Sequence, residues 1–435
     1  MIHLLDCLKG LTLSVIDQIN ISFSPFDPFT RDTDEADTKG LRVKADYYWK
    51  DIQANWLFGP KREFYWHASR NDLGDMCIWQ GVYTAMCAFK YVKEPEPLVL
   101  KATLQALFGM NKLQTLSGAN KLVRGSDSIN GPYAKDPSRK YYFNGEYVYI
   151  DNVSESTLIG HLFGLWAFHY TGLKNPLVTQ MISDLADQLI ADGYILKNTD
   201  GSTPKFGNLK PGFLTAPIRI AALCSLFSLA YAITQKPIYR EEYNKIHKAY
   251  RGALTHPETH FLWIHPFYQD VLAYMCLTML LTTEKGLVDK DDGLIKDLTK
   301  SFDVLWEKTN RDGNPFYYAM YRLSTEKEFL EQGKQSLKTL REFDTEFNRG
   351  KQKVEKINSF NPSIPKVTWG YFSKKQTIAR QPLPIWRRPG ADFFWQRDPR
   401  SLDGDIGIKE VVETYNGMDF LVAYYLLRLI ILPQY

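Results

Sequence analysis

The chain has 435 residues, 44% of them hydrophobic and 14% aromatic, and its 53 Lys and Arg against 49 Asp and Glu leave a net charge of +4. That length holds one large domain or two ordinary ones, and a near-balanced charge with no basic run interleaved with aromatics excludes an electrostatic nucleic-acid binder. The five cysteines, Cys7, Cys77, Cys87, Cys224 and Cys276, form no CxxC; they indicate neither a disulfide framework nor a zinc site.

Along the chain, Met1–Asp6 lacks a basic start followed by an apolar core. No secretory signal is visible, so the expectation is a cytoplasmic protein or one released without a signal, as in a virus particle. Residues 1–70 read as irregular, and 1–45 are assigned to an N-terminal arm preceding a single domain at 46–435. The arm holds two apolar patches, Leu11–Ile16 and Ile19–Phe23, which need cover from their own domain or from a partner protein.

From residue 75 onward a helical period dominates. It predicts helices at 76–93, 97–111, 154–172, 176–196, 213–235, 238–253, 264–282, 293–309, 315–342 and 408–431. Between them, Tyr141–Tyr149 places Asn144-Gly145 amid aromatic and β-branched residues, the signal of a small β-hairpin. The helices come in pairs. Cys77–Tyr91, Leu158–Tyr170, Leu214–Ile233 and Val271–Leu281 are apolar round most of their surface, whereas Val178–Leu196, Tyr239–Tyr250 and Leu294–Trp306 are amphipathic. A helix apolar all round is an inner helix and an amphipathic one has a wet face. Their alternation, without a fixed repeat length, predicts an all-α toroid of helical hairpins. The long non-helical stretches 112–152, 197–212 and 343–407 are expected over one end. The apolar segment 420–433 is too short to span a bilayer and contains Arg428, so no membrane span is expected.

Two polar, carboxylate-bearing turns run into inner helices. One is Asn71-Asp72-Leu73-Gly74-Asp75 before Met76; the other is Asp151-Asn152-Val153-Ser154-Glu155. With Gly74-Asp75-x-x-x-Trp79-x-Gly81-x-Tyr83, Arg124-Gly125, Ser154-Glu155-x-x-x-x-Gly160-His161-Leu162-Phe163-Gly164 and the closing Phe393-Phe394-Trp395-Gln396-Arg397-Asp398-Pro399, the chain resembles the six-hairpin (α/α)6 glycosidase-like proteins, among them uncharacterised bacterial and phage members. The resemblance covers roughly residues 45–432. It implies an (α/α)6 toroid with a cleft at the inner-helix N-termini, in a superfamily that includes glycoside hydrolases, uronyl hydrolases, epimerases and polysaccharide lyases. The His-rich constellation of the epimerases is missing here. One fold hosts many activities.

Glycoside hydrolysis needs a protonated carboxyl beside the leaving oxygen and an ionised one to activate water or attack carbon. Asp75 with Asp151 or Glu155 are the candidate catalytic groups, although Asp75, Asp151 and Ser154 are also ordinary helix caps. Asp72 and Asp127 are candidate substrate ligands. Arg124 is another, or it pairs with Asp127 or Asp151 to stiffen its loop. Trp79 and Trp395 are candidates for stacking a sugar, with core packing as the alternative for Trp79. His161 is a substrate-binding candidate or a buried, satisfied histidine, and Arg397 is material for a lid or a protein contact. His256, His260 and His265 do not share a helix face, so no metal is expected. Walker, GxGxxG, GxSxG and HExxH motifs are absent, and no cofactor is expected.

Two functions follow. One is a carbohydrate-active hydrolase or lyase working on an oligosaccharide or cell-envelope glycan. The other is a non-catalytic structural or adhesion component of a larger assembly such as a phage particle.

Overall fold

The computed structural model describes residues 38–65, 73–118, 120–134, 137–211, 217–255, 267–343, 364–371, 374–385, 388, 393–402 and 417–430. Twelve helices lie among them: α1 (Thr38–Asn55), α2 (Met76–Lys93), α3 (Pro97–Thr115), α4 (Glu155–Tyr170), α5 (Pro176–Ala191), α6 (Pro217–Thr234), α7 (Pro237–Thr255), α8 (Phe267–Gly286), α9 (Asp292–Thr309), α10 (Pro315–Thr325), α11 (Leu330–Arg341) and α12 (Met418–Ile430).

The even-numbered helices form a closed inner ring. Each of α2, α4, α6, α8, α10 and α12 packs on the next, and α12 packs back on α2. The odd-numbered helices lie outside, each against an inner neighbour. The chain is therefore an (α/α)6 toroid. Composition explains the sorting. Helices α4 and α6 are buried on every side through Leu158–Phe168 and Ile220–Ala230, whereas α9 buries one stripe, Leu294, Leu298, Ser301, Phe302 and Trp306. Helix α6 is the one helix among the described residues apolar and long enough to cross a membrane, and here it is an inner stave of the ring.

Connections are unequal at the two ends. After an inner helix the chain turns back within a few residues, at 94–96, 171–175, 235–236, 287–291 and 326–329. Before every inner helix but α10 it takes longer routes, at 56–75, 116–154, 192–216, 256–266 and 342–417, whereas only 310–314 precede α10. The inner helices run parallel, so their N-termini share one end, and the described parts of these connections lie there.

Among the described residues, three small antiparallel sheets sit in the connections. β1 (Leu57–Phe58) pairs with β2 (Phe64–Tyr65). β3 (Gly125–Ser128), β5 (Tyr147–Ile150) and β4 (Tyr141–Asn144) form one sheet with β5 central. β6 (Lys366–Tyr371) pairs with β7 (Lys374–Ala379). The expected hairpin at 141–149 is present, with Gly145 at φ 59° in its turn. Its partner β3 was not expected.

Other readings need correction. Residues 38–55 are helical, and α1 crosses the 45/46 boundary drawn between arm and domain. Its buried Leu41, Ala45, Tyr48 and Ile52 follow a 4-3-4 spacing, but exposed Val43 and Tyr47 blur the stripe. The predicted helix 315–342 is two helices, because Glu326 adopts φ 63° and caps α10. The arm at 1–37, Asp72, the histidine cluster at 256–265 and the start of the predicted helix at 408 lie outside the described residues.

Candidate functional site

The mouth is set by how closely two inner helices approach. A Cβ at Gly81 of α2 would lie 1.8 Å from the Gly160 carbonyl oxygen of α4, and one at Gly160 would lie 2.4 Å from the Ile78 Cα. Backbone contact at these glycines brings the start of α2 beside the start of α4. Arg124, just before β3, joins the two turns that feed them. Its Nε donates to the Gly74 carbonyl, its Nη2 lies 3.0 Å from Asp75 Oδ1, and its Nη1 donates to the Asn152 carbonyl at 3.1 Å. The two acidic turns, far apart in sequence, thus share one end of the ring.

Asp75 stands at the N-cap position of α2, yet its side chain makes no capping bond. It pairs with Arg124 instead, its side chain 20% exposed. At α4 the cap is supplied by Ser154 and Thr157, which leaves Glu155 on the first turn without a capping duty. Glu155 Oε2 faces Arg219 Nε of α6 at 3.9 Å. Both atoms are buried and neither has a hydrogen-bond partner among the described residues.

Other candidates are bound into the fold. Asp151 accepts from the Thr199 amide at 2.8 Å and from the Thr199 hydroxyl at 2.9 Å, so both its oxygens hold the 197–205 loop. The Asn152 amide donates to Asn198 Oδ1 in the same loop. Asp127 is fully buried and accepts from the amides of Ser128 and Tyr133. Burial pushes its carboxyl up, against the pull of those two bonds. It organises the turn after β3, while Arg124 bonds Asp75 and the Asn152 carbonyl and so stiffens a different pair of turns from the one expected.

His161 is fully buried, with Nε2 3.0 Å from Gln114 Oε1 and Nδ1 3.9 Å from Cys77 Sγ. Burial pushes its imidazole down to about 3, and burial pushes the Cys77 thiol up. Both are neutral at ordinary pH, so this pair holds no thiolate nucleophile. Trp79 is buried and stacks on Phe393 with centroids 4.8 Å apart. Trp395 is buried, donating Nε1 to the Asp419 carbonyl while its own carbonyl accepts from the Tyr317 hydroxyl. Both indoles stack or bond within the protein and neither stands open to a sugar. Arg397 is half-buried after the short 3-10 turn Phe394–Gln396.

The sequence reading missed Arg219, although it is the single charged residue in Pro217–Thr234; an isolated cation on an otherwise apolar inner helix is itself a signal. It also missed the charges at the far side of this end. Asp270 in the first turn of α8 receives both bonds of Lys308 at 2.8 and 2.9 Å. Buried Asp312 pairs with Arg400 at 2.6 Å. Near them, burial and the Asp312 charge push Asp398 up to about 6, and burial pushes Arg388 down to about 10. Among the described residues no group of three or more His, Cys, Asp and Glu side chains is gathered as a metal would need.

No family model matches the sequence, and no curated protein matches it. Two solved structures are similar to the chain. A cellobiose 2-epimerase from Spirochaeta thermophila aligns with a TM-score of 0.44 and 13% identity, over 70% of this chain and 86% of that one. A glycoside hydrolase family 76 (mannosidase) from Bacteroides thetaiotaomicron aligns with a TM-score of 0.47 and 10% identity, over 89% of this chain and 98% of that one. The assignment of this chain to the (α/α)6 toroids rests on its own ring of inner helices.

Proposed function

We propose that the chain is a carbohydrate-active enzyme, a hydrolase or lyase of an oligosaccharide or cell-envelope glycan, working at the end of the ring where the inner N-termini open. One observation carries this reading: Arg124 bonds to the Asp75 carboxylate and to the Asn152 carbonyl, so two distant acidic turns are tied together at one end of the ring. Asp75 and Glu155 are the carboxyl pair, because Asp151 has given both oxygens to Thr199. In hydrolysis one of the pair protonates the leaving oxygen while the other activates water or attacks the anomeric carbon. Arg124 is a positioning residue that fixes Asp75.

The test is turnover of a panel of oligosaccharides, read by mass spectrometry of the products. Asp75→Asn and Glu155→Gln are each expected to lower kcat by roughly 10²–10⁴, the usual worth of a general acid or base. Asp151→Asn is expected to cost far less. If no glycan is turned over, or both carboxyl variants keep the wild-type rate, the proposal is wrong.

The competing reading, a structural or adhesion block in a larger assembly, draws on a different observation. Asp127, Asp151, His161, Trp79 and Trp395 are all engaged within the fold. A stable oligomer by light scattering, together with inert carboxyl variants, would favour it.

A further inference from the structure

The end of the ring opposite the mouth carries exposed apolar side chains in a regular order. Each of its five short turns has one, inside it or within two residues: Leu98 at 94–96, Tyr170 at 171–175, Ile238 at 235–236, Val288 within 287–291 and Leu330 at 326–329. Their exposure runs from 40% at Tyr170 to complete at Val288. A single exposed Leu or Val is ordinary on a soluble protein. One at every turn, where Gly, Pro, Asn, Asp and Ser are the usual residues, gives one face a ring of apolar side chains, and a concentration of this kind marks a contact surface. With packed helix axes about 9 Å apart, two nested rings of helices present an end face roughly 40 Å across, which exceeds the ~800 Å² per partner of a standard interface.

Charge selects what covers this face. The turns 171–175 and 235–236 carry Lys174 and Lys236 and no carboxylate. The turn 287–291 holds Asp289 and Asp291 against Lys290, and 326–329 holds Glu326 and Glu328 against Lys327. The inner helices follow one another round the ring in chain order, so the two basic turns are neighbours and the two acidic turns come next. A twofold axis lying in the plane of this end, between 235–236 and 287–291, therefore lays the basic turns of one copy on the acidic turns of a second. It also lays Ile238 and Tyr170 towards Val288 and Leu330, and by symmetry every such contact is made twice. An anionic lipid surface fits less well, because Glu94 and Glu96 leave the five turns with more acid than base.

We propose that this end is the interface of a back-to-back dimer, its occupant a second copy of the chain. The two mouths then face outward at opposite poles. Neither is covered, so the dimer is compatible with either reading of the mouth.

The test is sedimentation velocity over a concentration series. Wild type is expected to sediment at twice the chain mass. Val288→Asp sets a carboxylate into the apolar ring without touching the fold, and is expected to weaken the dimer by about tenfold or more. Two charge-reversed proteins, Lys174→Glu with Lys236→Glu and Asp289→Lys with Glu328→Lys, are each expected to be monomeric because like charges then meet. An equimolar mixture of the two is expected to restore the dimer, since every contact of the mixed pair is again opposite in charge. Recovery on mixing also shows that both variants are folded. Wild type that stays at one chain mass at high micromolar concentration, a dimer untouched by Val288→Asp, or a mixture that remains monomeric overturns the proposal. So does a monomer that floats with phosphatidylserine vesicles, which would make the face a membrane contact.

Discussion

His161 shows how burial decides chemistry at the scale of one residue. Its ring sits between Gln114 and Cys77 with no exposed surface, and desolvation holds it neutral down to about pH 3. An unfolded histidine titrates near 6.5. Between those values the unfolded chain binds a proton that the folded chain does not, so stability rises with pH across this window. The contribution is fully present above about 6.5 and is lost at roughly 1.4 kcal/mol per pH unit as pH falls toward 3. Urea unfolding at pH 4.5, 5.5 and 6.5 should show that slope in wild type, and a slope smaller by about one proton in His161→Gln. Equal slopes would mean that the imidazole is solvated in the native state.

Between elements, the contact that places the mouth is the crossing of α2 and α4. Gly160→Ala would put a methyl carbon 2.4 Å from the Ile78 Cα, and that neighbour is backbone. The helices must separate, at an expected cost of about 2–3 kcal/mol, in the range of overpacked cores. Gly164→Ala meets first the Met110 thioether, at 2.6 Å, a flexible side chain that can swing aside, so its cost should be clearly smaller. Urea midpoints of the two variants measure the difference, and equal costs would show that α4 slides freely on α2.

These glycines also mark how much was legible beforehand. The start of α2 at Met76 and the inner character of α4 were readable because apolar residues surround both helices while a polar turn precedes each. The meeting of the two turns was not, since Arg124 reaches Asp75 and Asn152 only through β3 and β5, and β3 (Gly-Ser-Asp-Ser) carries no strand signal of its own. Helix α1 escaped for the opposite reason: its core stripe is regular but narrow, and exposed apolar residues beside it obscure the period. The role of Asp127 likewise depends on a turn geometry that composition does not specify. Arg219 was visible as an isolated charge, but its partner Glu155 was not, because adjacency of α4 and α6 is a property of ring order.

For the whole molecule, the decisive event is closure, and α12 performs it by packing on α2, α10 and α1. One polar cluster at the end opposite the mouth pins this seam. Lys90 of α2 is nearly fully buried between the rings of Trp49 from α1 and Tyr425 from α12, 5.1 and 5.0 Å from their centroids. Glu94 bonds both Lys90 and Arg428 of α12, and the Tyr425 hydroxyl accepts from Lys90 at 2.7 Å. Burial raises the Glu94 carboxyl, but its two cations outweigh burial and the net displacement is downward. The stability it contributes is therefore present above the ordinary carboxylate range and lost as pH falls through its lowered value. Glu94→Ala leaves Lys90 buried without its counter-charge, at an expected cost of about 3 kcal/mol, the lower end for a broken buried pair. Because the cluster spans the seam alone, the loss should be local before it is global. Hydrogen exchange should quicken in Met418–Ile430 and Thr38–Asn55 while α6 and α8, on the far side of the ring, keep their protection. Uniform loss of protection would instead show a ring that opens only all at once, with its seam held by apolar packing.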